Sequence, residues 1–133
     1  MTETTELAVP PPDPVSTALE KHQRAWQSFL AARDAMAGYQ DTHSTADGSL
    51  PRDAKSKKLC HEEKRAGLAL HDAICRICET VPTTLAGVIA MIRAAETDID
   101  GFFLGRMDDG RDAGAAFLAS IRTALQRITA PTP

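Results

Sequence analysis

"LCHEEKRAGLALHDAICRICETVP", residues 59–82, decides how the chain folds. Turned by about 100° per residue, Leu59, Ala66, Leu70, Ile74, Ile77 and Val81 fall within roughly one 80° sector. That spacing predicts a long amphipathic helix, from about Asp53 to Thr80, with one face toward a core. Pro82 stops it, because the residue before a proline is pushed out of the helical region. The continuation "TTLAGVIAMIRAAE" (83–96) opens the next helix, with Thr83 or Thr84 placed to cap it. Its expected apolar side is Leu85, Val88, Ile89, Ile92 and Ala95. Gly87, lacking a Cβ, leaves room there for another helix to come close.

Working backward, "DPVSTALEKHQ" (13–23) reads as a helix start. Asp13 can cap, and Pro14 suits the first helical position, where a missing N–H costs nothing. Val15, Leu19, Trp26, Phe29, Leu30, Met36 and Ala37 recur at helical spacing, with His22 and Arg33 completing the stripe. Glu20 and Arg24 form an outward i,i+4 pair. Gly38 and the polar run "QDTHSTADGS" are expected to end this helix. Working forward, "ETDIDGFFLGRMDDGRD" (96–112) is a break with turn signals at Gly101 and Gly110, and a short helical piece through Phe102, Phe103 and Leu104. A final helix spans about 111–129, striped by Phe117, Ile121, Ala124, Leu125 and Ile128. No segment alternates with period two, so no sheet is expected. The predicted fold is an all-α helical bundle: a long antiparallel hairpin of the first two helices with two shorter C-terminal helices packed on it. Residues 1–12, polar and then proline-rich, read as a disordered tail. Residues 13–129 form a single helical domain, and 130–133 a short C-terminal tail.

The 133 residues suit one domain with one core, and 43% hydrophobic against 25% charged residues places the chain among globular proteins. The net charge of −3 argues against a general nucleic-acid binder. A basic segment, "RDAKSKKLCHEEKR" (52–65), sets six Lys/Arg against three Asp/Glu and reads as a solvated helix face. The opening residues have no basic region before an apolar stretch, unlike a signal peptide. The apolar run Leu85–Ile92 is too short to span a bilayer. Three cysteines, an odd number, fit reduced thiols. The expectation is a cytoplasmic protein with no cofactor and no membrane or nucleic-acid partner.

"PTTLAGVIAMIRAA" (82–95) followed by "AAFLASIRTAL" (115–125) resembles a group of small uncharacterised helical proteins encoded in alphaproteobacterial genomes, often near mobile or phage-derived elements. The shared features are the proline–threonine–glycine helix start and the "LAS" final helix, over about a fifth of the chain. The resemblance implies a helical fold and carries no activity, ligand or catalytic residue.

Within the deciding stretch, "HDAICRIC" (71–78) offers chemistry. Zinc takes thiolates and imidazoles, usually four. The candidates are Cys60, His61, His71, Cys75 and Cys78. Along one helix Cys60 and Cys75 are about 22 Å apart and cannot share an ion. His71–Cys75 (i,i+4) and Cys75–Cys78 (i,i+3) are neighbours, whereas His71 and Cys78 are about 10 Å apart on the axis. A His71, Cys75, Cys78 site would therefore need completion by His22, His43 or another chain. A redox dithiol is disfavoured, because Cys75 and Cys78 lie near the negative end of a long helix. The competing reading is that Cys78 packs at the edge of the apolar stripe, with Cys75 and His71 on its flank.

"ETDIDGFFLGRM" (96–107) sets Glu96, Asp98 and Asp100 at calcium-loop positions, but Met107 stands where a bidentate carboxylate is needed. A helix-turn-helix starting at "PTTLAGVIA" would be followed by "IDGFFLGRM", which has one basic residue. No nucleophile motif or phosphate loop is present, and Ser120 lies mid-helix without an evident base. The functional expectation is a non-enzymatic interaction or accessory protein with a homodimeric or helical partner. The alternative is a metal-binding or thiol-based sensor using His71, Cys75 and Cys78.

Overall fold

The computed structural model describes residues 12–49 and 52–130, so most of both expected tails lies outside the described residues. The helices are α1 (Pro14–His43), α2 (Ala54–Glu79), α3 (Leu85–Thr97), α4 (Ile99–Phe103) and α5 (Ala113–Thr129). Among the described residues there is no strand, only an isolated bridge between Arg106 and Asp112. The protein is all-α. Among those residues, no helix is long and apolar enough to cross a membrane.

Every helix begins on a side-chain cap, which satisfies an amide that the helix itself leaves without a partner. Asp13 accepts from the Val15 amide at 3.1 Å, Asp53 from Ser56 at 2.7 Å and Thr84 from Gly87 at 3.0 Å. Asp98 and Asp112 do the same for Gly101 at 3.2 Å and Ala115 at 3.0 Å. Asp13 has a second task. Its other oxygen accepts from the Thr83 amide (3.1 Å), the Thr84 amide (3.0 Å) and the Thr84 hydroxyl (2.7 Å). One carboxylate thus joins the starts of α1 and α3. The close approach expected at Gly87 is made by this group: a Cβ there would stand 2.1 Å from Asp13 Oδ2.

α1 and α2 form the antiparallel hairpin. Tyr39 donates its hydroxyl to Asp53 near the connecting turn, and the Phe29 ring lies over Gly67 midway. Pro14 and Ala18 sit beside Glu79 and Thr80 at the other end. The core gathers at that end. Val15 from α1, Ile77 and Cys78 from α2, Met91 from α3, Phe102 from α4 and Ala124 from α5 are all fully buried there. Phe102 meets Phe117 and His22 edge-on, at ring separations of 5.5 and 5.4 Å. Farther along the hairpin, burial shrinks to Met36, Tyr39 and Ser56.

Four expectations are corrected. α1 does not end at Gly38 but runs to His43. A mid-helix glycine costs only about 1 kcal/mol. Here Tyr39, one residue later, bonds Asp53 and stacks on His43 at 4.2 Å, which holds the next turn. In the same helix Arg33 and Ala37 are exposed, and Ala18 and Tyr39 are buried in addition to the expected Val15, His22 and Met36. α3 turns a different side inward. Gly87, Val88, Met91 and Ala95 are buried, whereas Leu85, Ile89 and Ile92 are 56%, 45% and 40% exposed. Both sides of α3 are apolar, and the Asp13 bonds to its first turn go with the Gly87 side facing α1. On α5, Phe117, Ile121 and Ala124 are buried as expected, but Leu125 and Ile128 stay largely exposed.

Candidate functional site

The stretch 96–107 is not a loop around an ion. α3 runs to Thr97, Asp98 caps α4, and Met107 is 3% exposed within the core. Asp98 instead faces His22, with Nε2 and Oδ2 at 3.9 Å. Both of these atoms are buried without a hydrogen-bond partner. Burial lowers the His22 pKa, and the Asp98 charge offsets this only in part. A surface groove of about 350 Å³ between α1 and α3 includes His22 with Leu19, Trp26, Ala90 and Arg93, and no carboxylate or thiol lines it.

The helix α2 holds His71 and Cys75 one turn apart, and the imidazole reaches the thiol: Nε2 and Sγ are 3.5 Å apart. The structure does not bring the Cys78 thiol into this group. Cys78 is fully buried in the core, and its carbonyl accepts the Ser120 hydroxyl at 2.6 Å. Burial above all, then the neighbouring Cys75 and Glu79, pushes the Cys78 thiol up to about 12. That is the fate of a packed apolar cysteine. Nor does His22 or His43 come in, since the first faces Asp98 and the second stacks on Tyr39.

A different residue completes the cluster. His71, Cys75 and Asp108 place one ligand atom each within 4.8 Å of one another. The Asp108 carboxylate lies 3.3 Å from His71 Nε2. Asp108 comes from the turn between α4 and α5, far away in sequence, and that turn is fastened at several points. Met107, its immediate neighbour, is anchored in the core. The Met107 amide donates to the Arg111 carbonyl at 2.7 Å, and Gly110, at φ +86°, donates to Met107. Arg111 reaches Glu79 of α2 at 3.4 Å and Asp109 at 2.6 Å. Asp108 is thus presented to α2 by a buried side chain on one side and an ion pair on the other. The sequence signal for this was an apolar Met107 inside the polar turn "RMDDGRD".

Cys75 is 6% exposed, whereas the His71 and Asp108 side chains are 43% and 81% exposed, so the cluster opens to solvent on one side. Burial raises the Cys75 pKa, helped by the charges of Asp108, Glu79 and Asp72, while a bond from the Asp108 amide pulls the other way. Burial and these charges therefore disfavour an uncompensated Cys75 thiolate. Comparison with protein-family models, curated proteins and solved structures gave no match for this chain.

Proposed function

We propose that this is a non-enzymatic interaction protein that self-associates through the outer side of α3. The observation that carries the reading is the exposed row Leu85, Ile89 and Ile92, spaced four and three residues apart on one helix side. A helix that is apolar all round calls for cover on both sides, and here the fold covers one. From Leu85 to Ile92 the sequence has no charged residue, so two copies of this row meet without like-charge repulsion. Two-fold pairing of identical surfaces is the commonest form of homo-oligomer.

The test is the molar mass in solution over a concentration series, for the native chain and for an Ile89→Lys, Ile92→Asp variant. Both positions are already solvent-facing, so the variant should keep its helicity. A native dimer that becomes monomeric in the variant supports the proposal. A native chain that stays monomeric up to about 100 μM, a concentration corresponding to only about −5 kcal/mol of association, overturns it.

A further inference from the structure

We propose that His71 Nε2, Cys75 Sγ and an Asp108 carboxylate oxygen form a binding site for a zinc-class divalent cation. The inference does not depend on the α3 surface. Zinc binds sulfur at about 2.3 Å and nitrogen or oxygen at about 2.0–2.1 Å, in a tetrahedron. Those bond lengths make the sulfur–nitrogen edge about 3.5 Å and the nitrogen–oxygen edge about 3.3 Å. The corresponding separations here are 3.5 Å and 3.3 Å. The third edge, sulfur to oxygen, lies within 4.8 Å against about 3.5 Å in such a tetrahedron, so binding requires the exposed Asp108 side chain to turn inward.

Proton chemistry alone serves this triangle poorly. Neutral imidazole Nε2 is either a donor or an acceptor. With a proton it satisfies Asp108 and leaves the thiol proton without this acceptor. Without one, its single lone pair accepts from the thiol and the Asp108 carboxylate loses its donor. A cation at the centre satisfies all three lone pairs at once. It also neutralises a thiolate and a carboxylate that otherwise repel each other.

Sulfur and imidazole exclude the hard cations magnesium and calcium and favour zinc, cobalt(II) or nickel(II). Three protein ligands leave a fourth position, on the solvent side, for water. Binding displaces the Cys75 proton to solvent, so affinity should rise about tenfold per pH unit while the free thiol is protonated.

The experiment is titration of the reduced, chelator-treated full chain with cobalt(II), followed by competition with zinc. A thiolate-to-cobalt charge-transfer band saturating at one ion per chain is expected. Asp108→Ala is the decisive variant, since that side chain is 81% exposed and its loss leaves the fold intact. Its binding should weaken at least as much as the 10–100-fold seen when a ligand's outer partner is removed. Cys60→Ser, which removes the exposed thiol, should change nothing. Absence of the band in the native chain overturns the proposal. So does an affinity that is unchanged in Asp108→Ala, or a band that disappears with Cys60→Ser.

Discussion

Alanine at Gly87 tests the joint between α1 and α3 through the non-additivity of two mutations. Alone, Gly87→Ala gains up to about 1 kcal/mol of helix propensity. Against this, its Cβ would stand 2.1 Å from Asp13 Oδ2 and 2.9 Å from Cγ, so the carboxylate must leave. The bonds from the Thr83 amide, the Thr84 amide and the Thr84 hydroxyl go with it. Asp13 is only partly buried, so water replaces some of what is lost. At about 0.5–1 kcal/mol each, the three bonds amount to about 1.5–3 kcal/mol. Gly87→Ala should therefore be destabilising by about 1–2 kcal/mol. Asp13→Ala, which also removes the α1 cap, should cost about 2.5–4 kcal/mol, or about 10–16 °C in Tm for a chain of this size.

With the carboxylate gone, the next atom the alanine at 87 meets is the Pro82 Cβ at 3.1 Å, a contact that a shift of a few tenths of an ångström relieves. The double variant should then be no less stable than Asp13→Ala alone, leaving a coupling of about 1–2 kcal/mol between neighbouring sites. Urea and thermal melts followed by helicity measure all four proteins. Additive costs, with the double variant worse than either single one by their sum, would refute the carboxylate as the shared cause. Acid offers a second check. Burial raises the Asp13 pKa, but bonds from the Thr84 hydroxyl and the Val15, Thr84 and Thr83 amides together hold it below its ordinary 3.8. A depressed carboxylate contributes stability above its unfolded value and loses it as pH falls through the folded one. The loss below about pH 4 should be smaller in Asp13→Asn.

His22 should give a stability slope at milder pH. Burial lowers its pKa from 6.5, so on acidification the unfolded chain takes up the proton first. Stability is then fully present above pH 6.5 and declines as pH drops below it, and urea midpoints across about pH 5–7 should show less of this decline in His22→Leu. An unchanged slope in the variant would remove His22 as its source. For the thiols, a colourimetric disulfide reagent should find one fast cysteine, the exposed Cys60, and two that react only as the protein opens, Cys75 and Cys78. Three fast thiols would mean that the α2 end of the core is looser than its packing implies.

The deciding stretch was legible because a single rule governed it. One apolar sector and a break at Pro82 put α2 close to the expected span, and the structure adds the Asp53 cap at its start. Legibility failed where two local rules gave equal answers or where a distant residue intervened. α3 is apolar on opposite sides, and only the Asp13 contact with its first turn shows which side faces the body. Gly38 looked like an end because the Tyr39–Asp53 bond crosses between helices. In the cluster, the i,i+4 pair His71–Cys75 is local and was visible. Helix spacing placed Cys78 in the metal alternative, but it also put Cys78 at the edge of the apolar stripe, and that packed position is the one it takes. Asp108 lies in another segment and is brought in by the burial of Met107.

The uneven burial along the hairpin gives the molecule two tiers of cooperativity. At about 1.5 Å per residue the 30-residue α1 is about 45 Å long, but its packing against the five-helix body lies in the first half. Beyond Phe29 the paired helices form an arm, tied mainly by Met36, Tyr39 and Ser56. An arm with so little buried surface opens at a lower free energy than the body. Its amides should exchange with solvent as one unit, ahead of the amides around Ile77 and Met91. The far end of the hairpin is then a segment whose order is decided locally, so a binding event or modification there can change the arm while the body stays folded.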